Sequence, residues 1–299
     1  RTLLSSADTS RALSLAVPAA LLVVFLGIVQ VRQRAQRQAY WSALREPSVE
    51  PLIRCIERSM AMAKRLPDVD AFSAQARAMA YAFYERHADA VTALESVDWL
   101  AKAPLVQAVG VSADSLVTLF CERDPDRAAE LCRRALILAD VSPLLPGAKQ
   151  TRQYHATCLA VAEALRGAPS GDSIAALESG ARERRYPPLQ LLAHFGLAVS
   201  AEGQGELLRA GGHREFLKQR APHAVALHRS REDYAVASPV SPHPDAALRA
   251  PSLRREMTRS DPRAASGKQS ALRALRPLLL LWGALLVAFL LIWRLLSSS

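Results

Sequence analysis

The stretch DPDRAAELCRRALILAD, residues 124–140, carries the signals that decide the fold of this chain. Asp124 is a favoured N-cap residue and Pro125 suits the first position of a helix, so the pair marks a helix start. Ala128, Cys132 and Ala135 recur at intervals of four and three residues, which places them on one helix face. The stretch therefore predicts an α-helix over 125–140 that packs closely against a neighbour.

The same helical spacing continues on both sides of this stretch. Residues 36–220 are rich in Ala, Leu, Arg and Glu, and no segment keeps the two-residue alternation of strands for long. Prolines stand at or near the ends of most periodic segments, where they start or stop helices. We predict an all-α domain with helices at 36–45, 49–66, 70–87, 89–101, 104–122, 125–140, 148–167, 172–185, 188–201 and 204–220.

A second stretch, DAVTALESVDW at 89–99, places Ala90, Leu94 and Val97 at the same spacing. The two helices begin about 36 residues apart, close to the 34-residue period of tetratricopeptide repeats. Residues 70–185 therefore resemble the tetratricopeptide-repeat family, in which small residues let paired helices approach closely. The resemblance implies an α-solenoid of helix pairs. An irregular bundle of antiparallel helices would show the same spacings, so both folds stay open.

Two long apolar stretches flank this domain. ALSLAVPAALLVVFLGIVQV fills 12–31, and LLLLWGALLVAFLLIW, at 278–293, is the core of an apolar segment at 277–296. As a helix, a 20-residue segment is about 30 Å long, which matches the hydrocarbon core of a bilayer. We predict transmembrane helices at 12–31 and 277–296, with short tails at 1–11 and 297–299. The rival interpretations are a cleaved secretory signal for the first and a buried core helix for the second.

Arginines next to the two spans set their predicted orientation. Arg32, Arg34 and Arg37 follow the first span, and Arg273 and Arg276 precede the last. Because positive residues stay on the cytoplasmic side, both spans place residues 32–276 in the cytoplasm with the tails on the far side. The same five arginines are positioned to contact anionic lipid head groups. The sequence thus predicts an integral membrane protein with two spans and a cytoplasmic central domain.

The distribution of charge decides between lipid and nucleic acid as the basic chain's partner. The net charge is +10, yet residues 46–228 hold 21 Lys or Arg against 22 Asp or Glu. The excess lies beside the spans, where residues 32–45 carry four Arg and no acid. A nucleic-acid-binding protein needs a basic face on its folded domain. We therefore expect a membrane-lipid partner and no nucleic acid.

The segment 229–276 differs in character from the helical domain at 32–228. It mixes Ser, Pro and Arg with few large apolar residues, and ten of its residues are basic against five acidic ones. Such a composition does not supply enough apolar surface to offset the entropy of folding. We predict a disordered basic linker between the domain and the last span.

Motifs that carry catalytic chemistry are absent from the sequence. It contains no phosphate-binding G-x-x-x-x-G-K-[ST] loop, no G-x-S-x-G nucleophile elbow and no H-E-x-x-H metal motif. His155 and His194 stand singly on amphipathic helices, where a packed or half-exposed histidine is the simplest interpretation. We expect a protein without enzymatic activity, without a cofactor and without a metal site.

These observations favour a membrane-anchored adaptor that presents a groove to a peptide or helix of a partner protein. If helix pairs stack as predicted, the inner faces of 70–87 and 104–122 would form its floor. Tyr81, Tyr84 and Phe120 are the candidate anchors for the partner, and each would otherwise serve as a core residue.

Three further interpretations stay open. Small-residue stripes in the spans, at Ala12, Ala16 and Ala20 and at Ala284 and Ala288, would allow homo-oligomers through the transmembrane helices. The chain could serve as a structural subunit of a larger membrane complex, including one in an organelle. The last span also resembles the tail anchor of organellar helical-repeat receptors.

Overall fold

The computed structural model describes residues 6–64, 67–141, 147–167 and 169–235, with side chains from residue 23 onward. Every regular element in these ranges is helical, which confirms the all-α prediction. The elements are α1 Ser6–Leu44, α2 Glu50–Met62, α3 Val69–Phe83, α4 His87–Glu95, α5 Pro104–Val117 with a π-helical turn at Thr118–Glu122, α6 Pro125–Asp140, α7 Ala148–Arg166, α8 Gly171–Arg182, α9 Pro187–Gly203, α10 Leu207–Arg220, a 3₁₀ turn at Val225–His228 and α11 Glu232–Ala235.

Local sequence signals start several of these helices. The Asp124 carboxylate accepts a hydrogen bond from the backbone N–H of Arg127 at 2.9 Å, and Pro125 opens α6. The Ser170 hydroxyl accepts from the N–H of Ser173 at 3.1 Å and caps α8. Each cap satisfies a backbone donor that has no partner within its helix, so these starts follow from the sequence.

The first helix is longer than the sequence predicted. In place of a span at 12–31 and a separate helix at 36–45, α1 is one helix of 39 residues, about 58 Å long. The joining sequence VRQRAQ (31–36) contains neither Gly nor Pro, and Arg, Gln and Ala all favour helix. The predicted span therefore continues into the folded body as the same helix.

Three phenylalanines from three helices form the centre of the body. Phe83 of α3, Phe120 in the π turn after α5 and Phe195 of α9 are each fully buried. Their rings meet edge to face, with centroids 5.8 Å apart for the first pair and 5.6 Å for the second. Edge-to-face contacts of this kind add to the stabilisation that burial alone provides. The aromatic contact joins α3, α5 and α9 into one core.

Glycines let neighbouring helices approach closely around this core. A methyl group on Gly110 of α5 would lie 2.5 Å from the indole of Trp99, and one on Gly196 of α9 would lie 2.6 Å from Leu177 of α8. Neither position has room for a side chain. Ala128, Cys132 and Ala135, the residues that suggested paired helices in the sequence, are also buried.

The arrangement of the helices is that of a helical bundle. The central helix α9 packs against α7, α8 and α10, while α5 packs against α3, α6 and α7. Helices that are not consecutive in the chain, such as α3 and α5 or α7 and α9, are therefore packed together, as well as consecutive ones. The irregular bundle is one of the two predicted folds, and the regular α-solenoid of repeats stays a prediction.

The folded body extends past residue 228, where the sequence predicted the linker to begin. The guanidinium group of Arg229 donates two hydrogen bonds to the Glu85 carboxylate, with Nη2 2.6 Å from Oε2. Tyr234 is 4% exposed, and the 3₁₀ turn buries Ala226 and Leu227 fully. A tyrosine and an ion pair thus hold a segment whose average composition resembles that of a linker.

Among the described residues, one segment is long and apolar enough to cross a membrane, and it is Pro104–Glu122. It comprises α5 and its π turn, and 78% of its most apolar window is buried inside the body, as in a core helix. The predicted span 12–31 lies within α1. The span at 277–296, Arg273, Arg276 and the linker beyond residue 235 lie outside the described residues, as does the tail at 297–299.

Candidate functional site

Residues 23–31 of α1 expose apolar side chains on all sides of the helix. Between residues 23 and 31, every apolar side chain except Val29 is exposed, and Phe25 and Ile28 are exposed by 62% and 61%. Successive residues are turned by about 100° around a helix, so this exposure covers the whole circumference. A helix that is apolar on all sides is stable in hydrocarbon or in a protein interior. No described helix of the body covers these side chains.

Three arginines follow directly and form a collar on α1. Arg32 and Arg34 are exposed, while Arg37 is half-buried. The Nη1 of Arg37 donates a hydrogen bond to the backbone oxygen of Arg184 at 2.7 Å, and the Nη2 of Arg32 lies 2.8 Å from Sδ of Met62. The collar thus marks the level at which α1 enters the body.

The ends of three other helices lie beside α1 between Arg32 and Trp41. Met62 ends α2 beside Arg32, Arg184 follows α8 beside Arg37, and the Arg220 guanidinium at the end of α10 lies 5.2 Å from the ring of Trp41. The segments 62–64, 182–186 and 218–222 hold six Lys or Arg and one acid, Glu183. Together with the collar, they give the body a basic end on the side of the exposed apolar helix.

A groove of about 580 Å³ opens between α1 and α2, beginning at this basic end. Ala35, Ala39 and Ala43 of α1 line it at intervals of four residues and therefore lie along one face of the helix. The helix α2 contributes Cys55 and Met62. Small side chains on α1 keep the space between the two helices open and mostly apolar.

Arginines stand along the groove. Arg54 and Arg58 of α2 line it and are exposed, and Arg32 lies at its collar end. Within the described residues, no carboxylate oxygen lies within 4 Å of either α2 arginine. Glu46 is the acid that lines the groove, at the end away from the collar. Burial raises the pKa of the Cys55 thiol, which the charge of Arg58 lowers less strongly.

The three residues predicted as partner anchors do not share an open surface. Phe120 lies in the core, fully buried between two other rings. Tyr84 is half-buried, and its hydroxyl donates to the backbone oxygen of Glu46 at 3.3 Å, so it ties α3 to the end of α1. Burial raises the pKa of Tyr84 to about 12. Tyr81 is half-buried with the Arg86 guanidinium 6.0 Å from its ring.

The facing surfaces of α3 and α5, predicted to form the floor of a groove, are core instead. The groove residues of α1 and α2 were not found from the sequence. The stripe of Ala35, Ala39 and Ala43 was the signal available for them. This stripe begins in the gap between the predicted span, which ends at residue 31, and the next predicted helix, which begins at residue 36.

Two other polar sites lie inside the body. Nδ1 of His194 and Nδ1 of His213 are 3.0 Å apart, and the His194 ring stacks on Phe216 at 3.8 Å. Burial, followed by the neighbouring His213, lowers the pKa of His194 to about 4. His155 of α7 is fully buried. In the ranges that the structure covers, no group of three or more His, Cys, Asp or Glu side chains could hold a metal ion.

Comparison with models of protein families, with curated proteins and with solved structures finds no match for this chain.

Proposed function

We propose that this protein is a membrane-anchored helical adaptor, held at the cytoplasmic face of a membrane, that recruits a partner protein. The observation that carries the proposal is the continuity of α1. Its residues 23–31 expose apolar side chains on all sides, and the same helix then forms one wall of a groove. An anchor and a binding surface on one helix place any bound partner directly at the membrane.

The charges around the collar support this orientation. Arg32, Arg34 and Arg37 stand immediately after the apolar segment, where arginines of a cytoplasmic flank are found. The basic ends of α2 and α8 lie beside them, the end of α10 lies further along α1 at Trp41, and all three would face anionic lipid head groups. A second span at 277–296, preceded by Arg273 and Arg276, would bring the other end of the chain back to the same membrane.

Tethering supplies the mechanism. A groove held next to a membrane meets partners at a raised effective concentration, so that contacts too weak in free solution become effective. The rigid bundle presents the groove in one shape, which lowers the entropic cost of binding. On this proposal the protein binds lipid and protein, needs no nucleic acid or cofactor, and catalyses no reaction.

Lipid contact of α1 can be tested with single fluorescent labels. Phe25→Cys and Leu208→Cys are each prepared in full-length protein in which Cys55 and Cys121 are replaced by Ser, and labelled with a polarity-sensitive dye in vesicles. Leu208 is a matched control, because it is 96% exposed and lies at the start of α10, away from the collar. We expect nitroxide-labelled lipid to quench the dye at position 25 and aqueous iodide to quench it at position 208. Iodide quenching at both positions would refute the anchor.

The cytoplasmic orientation has a separate test. A protease-cleavable reporter inserted after Ser238 lies between the bundle and the predicted second span. In sealed vesicles with their cytoplasmic face outward, added protease should cleave the reporter without detergent. Protection until detergent is added would reverse the proposed orientation.

A further inference from the structure

We infer that the groove between α1 and α2 binds an amphipathic α-helix of a partner protein, with acidic residues four apart along the edge that meets α2. This inference rests on the proposed adaptor function and specifies the chemistry of the partner. The shape of the groove, the positions of its arginines and the charge of the rest of the chain each support it.

The shape of the groove suits a helix. Its lining runs along α1 from Arg32 to Ala43, which spans about 16 Å of helix axis, and ends at Glu46 just beyond the helix. A partner helix of about 11 residues would fill the helical part of that length. Ala35, Ala39 and Ala43 offer it a wall of small side chains, which permits a short interaxial distance. A helix that lies here would pack as the third member of a helix triplet, with its apolar face inward.

The arginines of α2 suit carboxylates at helical spacing. Arg54 and Arg58 are four residues apart, so their Cα atoms are separated by about 6 Å along the α2 axis. Acidic side chains at i and i+4 of a partner helix stand at the same interval. Guanidinium groups bind carboxylates through paired, charge-assisted hydrogen bonds. A single phosphate would need arginines that converge on one point, whereas these are arranged in a row.

The remainder of this chain does not supply the occupant. Residues 236–299 hold nine Lys or Arg and three Asp or Glu, and their longest apolar stretch, 277–293, has no acid. A basic segment would be repelled by the arginines along the groove. Residues 236–299 are therefore unsuited to the groove, and we assign the acidic helix to a partner protein.

A selection among displayed helices tests the inference on the full-length protein in lipid nanodiscs. The probe is a library of 18-residue Ala- and Leu-based helical peptides, with positions i, i+4 and i+8 of one edge randomised among Glu, Lys and Gln. We expect Glu to be enriched over Lys at i and i+4 by about tenfold, as charge complementarity at two partly exposed sites would give. The double variant Arg54→Glu/Arg58→Glu should invert this preference, and Arg54→Gln/Arg58→Gln should abolish it.

The matched control is Lys149→Glu/Arg152→Glu, which makes the same change in charge at exposed positions of α7, away from the groove and from the basic end. It should select the same peptides as the unaltered protein. The inference is overturned if no charge preference emerges, or if the Arg54/Arg58 variants select the same peptides as the unaltered protein. It is also overturned if those variants lose bound anionic lipid or self-association instead. Lipid quenching at position 25 reads out the anchor separately, so failure of the groove inference would leave it in place.

Discussion

His155 should make the stability of the body depend on pH. Its side chain is fully buried in α7, and neither ring nitrogen has a hydrogen-bond partner among the described residues. Burial lowers the pKa of His155 from 6.5 to about 4. In the unfolded chain the imidazole is solvated and titrates near its ordinary pKa. The unfolded state therefore takes up a proton at a higher pH than the folded state does.

The sign and size of the effect follow from this difference. Above pH 6.5 the histidine is neutral in both states, and its full contribution to stability is present. As the pH falls from 6.5 towards 4, the unfolded state binds more protons and the free energy of unfolding decreases. The loss attributable to His155 is about 2 kcal/mol at pH 5 and approaches about 3 kcal/mol at and below pH 4.

The variant His155→Leu isolates this contribution. Leucine has a similar volume, does not titrate and leaves no buried nitrogen without a partner. Its free energy of unfolding at pH 7 should be higher by about 1 kcal/mol. Between pH 7 and pH 5 it should lose about 2 kcal/mol less stability than the unaltered protein.

Urea unfolding of the full chain in mild detergent, followed by circular dichroism, measures both quantities. His223→Leu is the control, because His223 is exposed. It should retain the pH dependence of the unaltered protein. If His155→Leu also retains it, the buried imidazole is not the group that titrates, and the reasoning fails.

Four other substitutions test the packing of the core and the ion pair that holds the end of the body. In the variant Gly110→Ala, the new methyl group would lie 2.5 Å from the indole of Trp99, which is too close. The variant should therefore lower the free energy of unfolding by about 1–3 kcal/mol. Gly212→Ala, which meets nothing within 4 Å, should not lower it. Phe120→Ala should cost about 3–5 kcal/mol in the same urea experiment, and a cost below about 1 kcal/mol would contradict its place in the core. Glu85→Gln, which weakens the ion pair with Arg229 and leaves both tryptic sites of the segment in place, should speed tryptic cleavage at Arg229 and Arg231. Unchanged cleavage there would show that the pair does not hold the segment.

Helix positions followed from the sequence wherever a local signal fixed them. The helix α6 begins at Pro125 and ends at Asp140, as predicted, because a cap and a proline fix its start. The end of α3 was predicted at 87 and lies at Phe83, since the chain turns at Glu85 with a φ of 55°. Nothing in the amino-acid type of a glutamate signals that conformation. The contact of the Glu85 carboxylate with Arg229 joins residues 144 positions apart, so it was not visible locally either.

The candidate site was less accessible to sequence reasoning. The arginine collar could be found from charge alone, because arginines beside an apolar stretch have a direct physical meaning. The role of Phe120 could not be predicted from the sequence, because an aromatic residue on an amphipathic helix is compatible with both a core and a groove. The groove itself depends on α1 lying antiparallel to α2, and no local property of either segment determines that pairing.

The uninterrupted course of α1 has a mechanical consequence. The wall of the groove and the proposed span belong to one stiff rod, so a change in the inclination of one is a change in the inclination of the other. A tilt of about 20°, ordinary for membrane helices, would move the far end of the groove, about 16 Å beyond Arg32, sideways by about 6 Å. Because bilayer thickness affects the tilt of the helix, it would also affect the position of a bound partner relative to the membrane. A force on the bound partner would in turn be transmitted through α1 to the surrounding lipid.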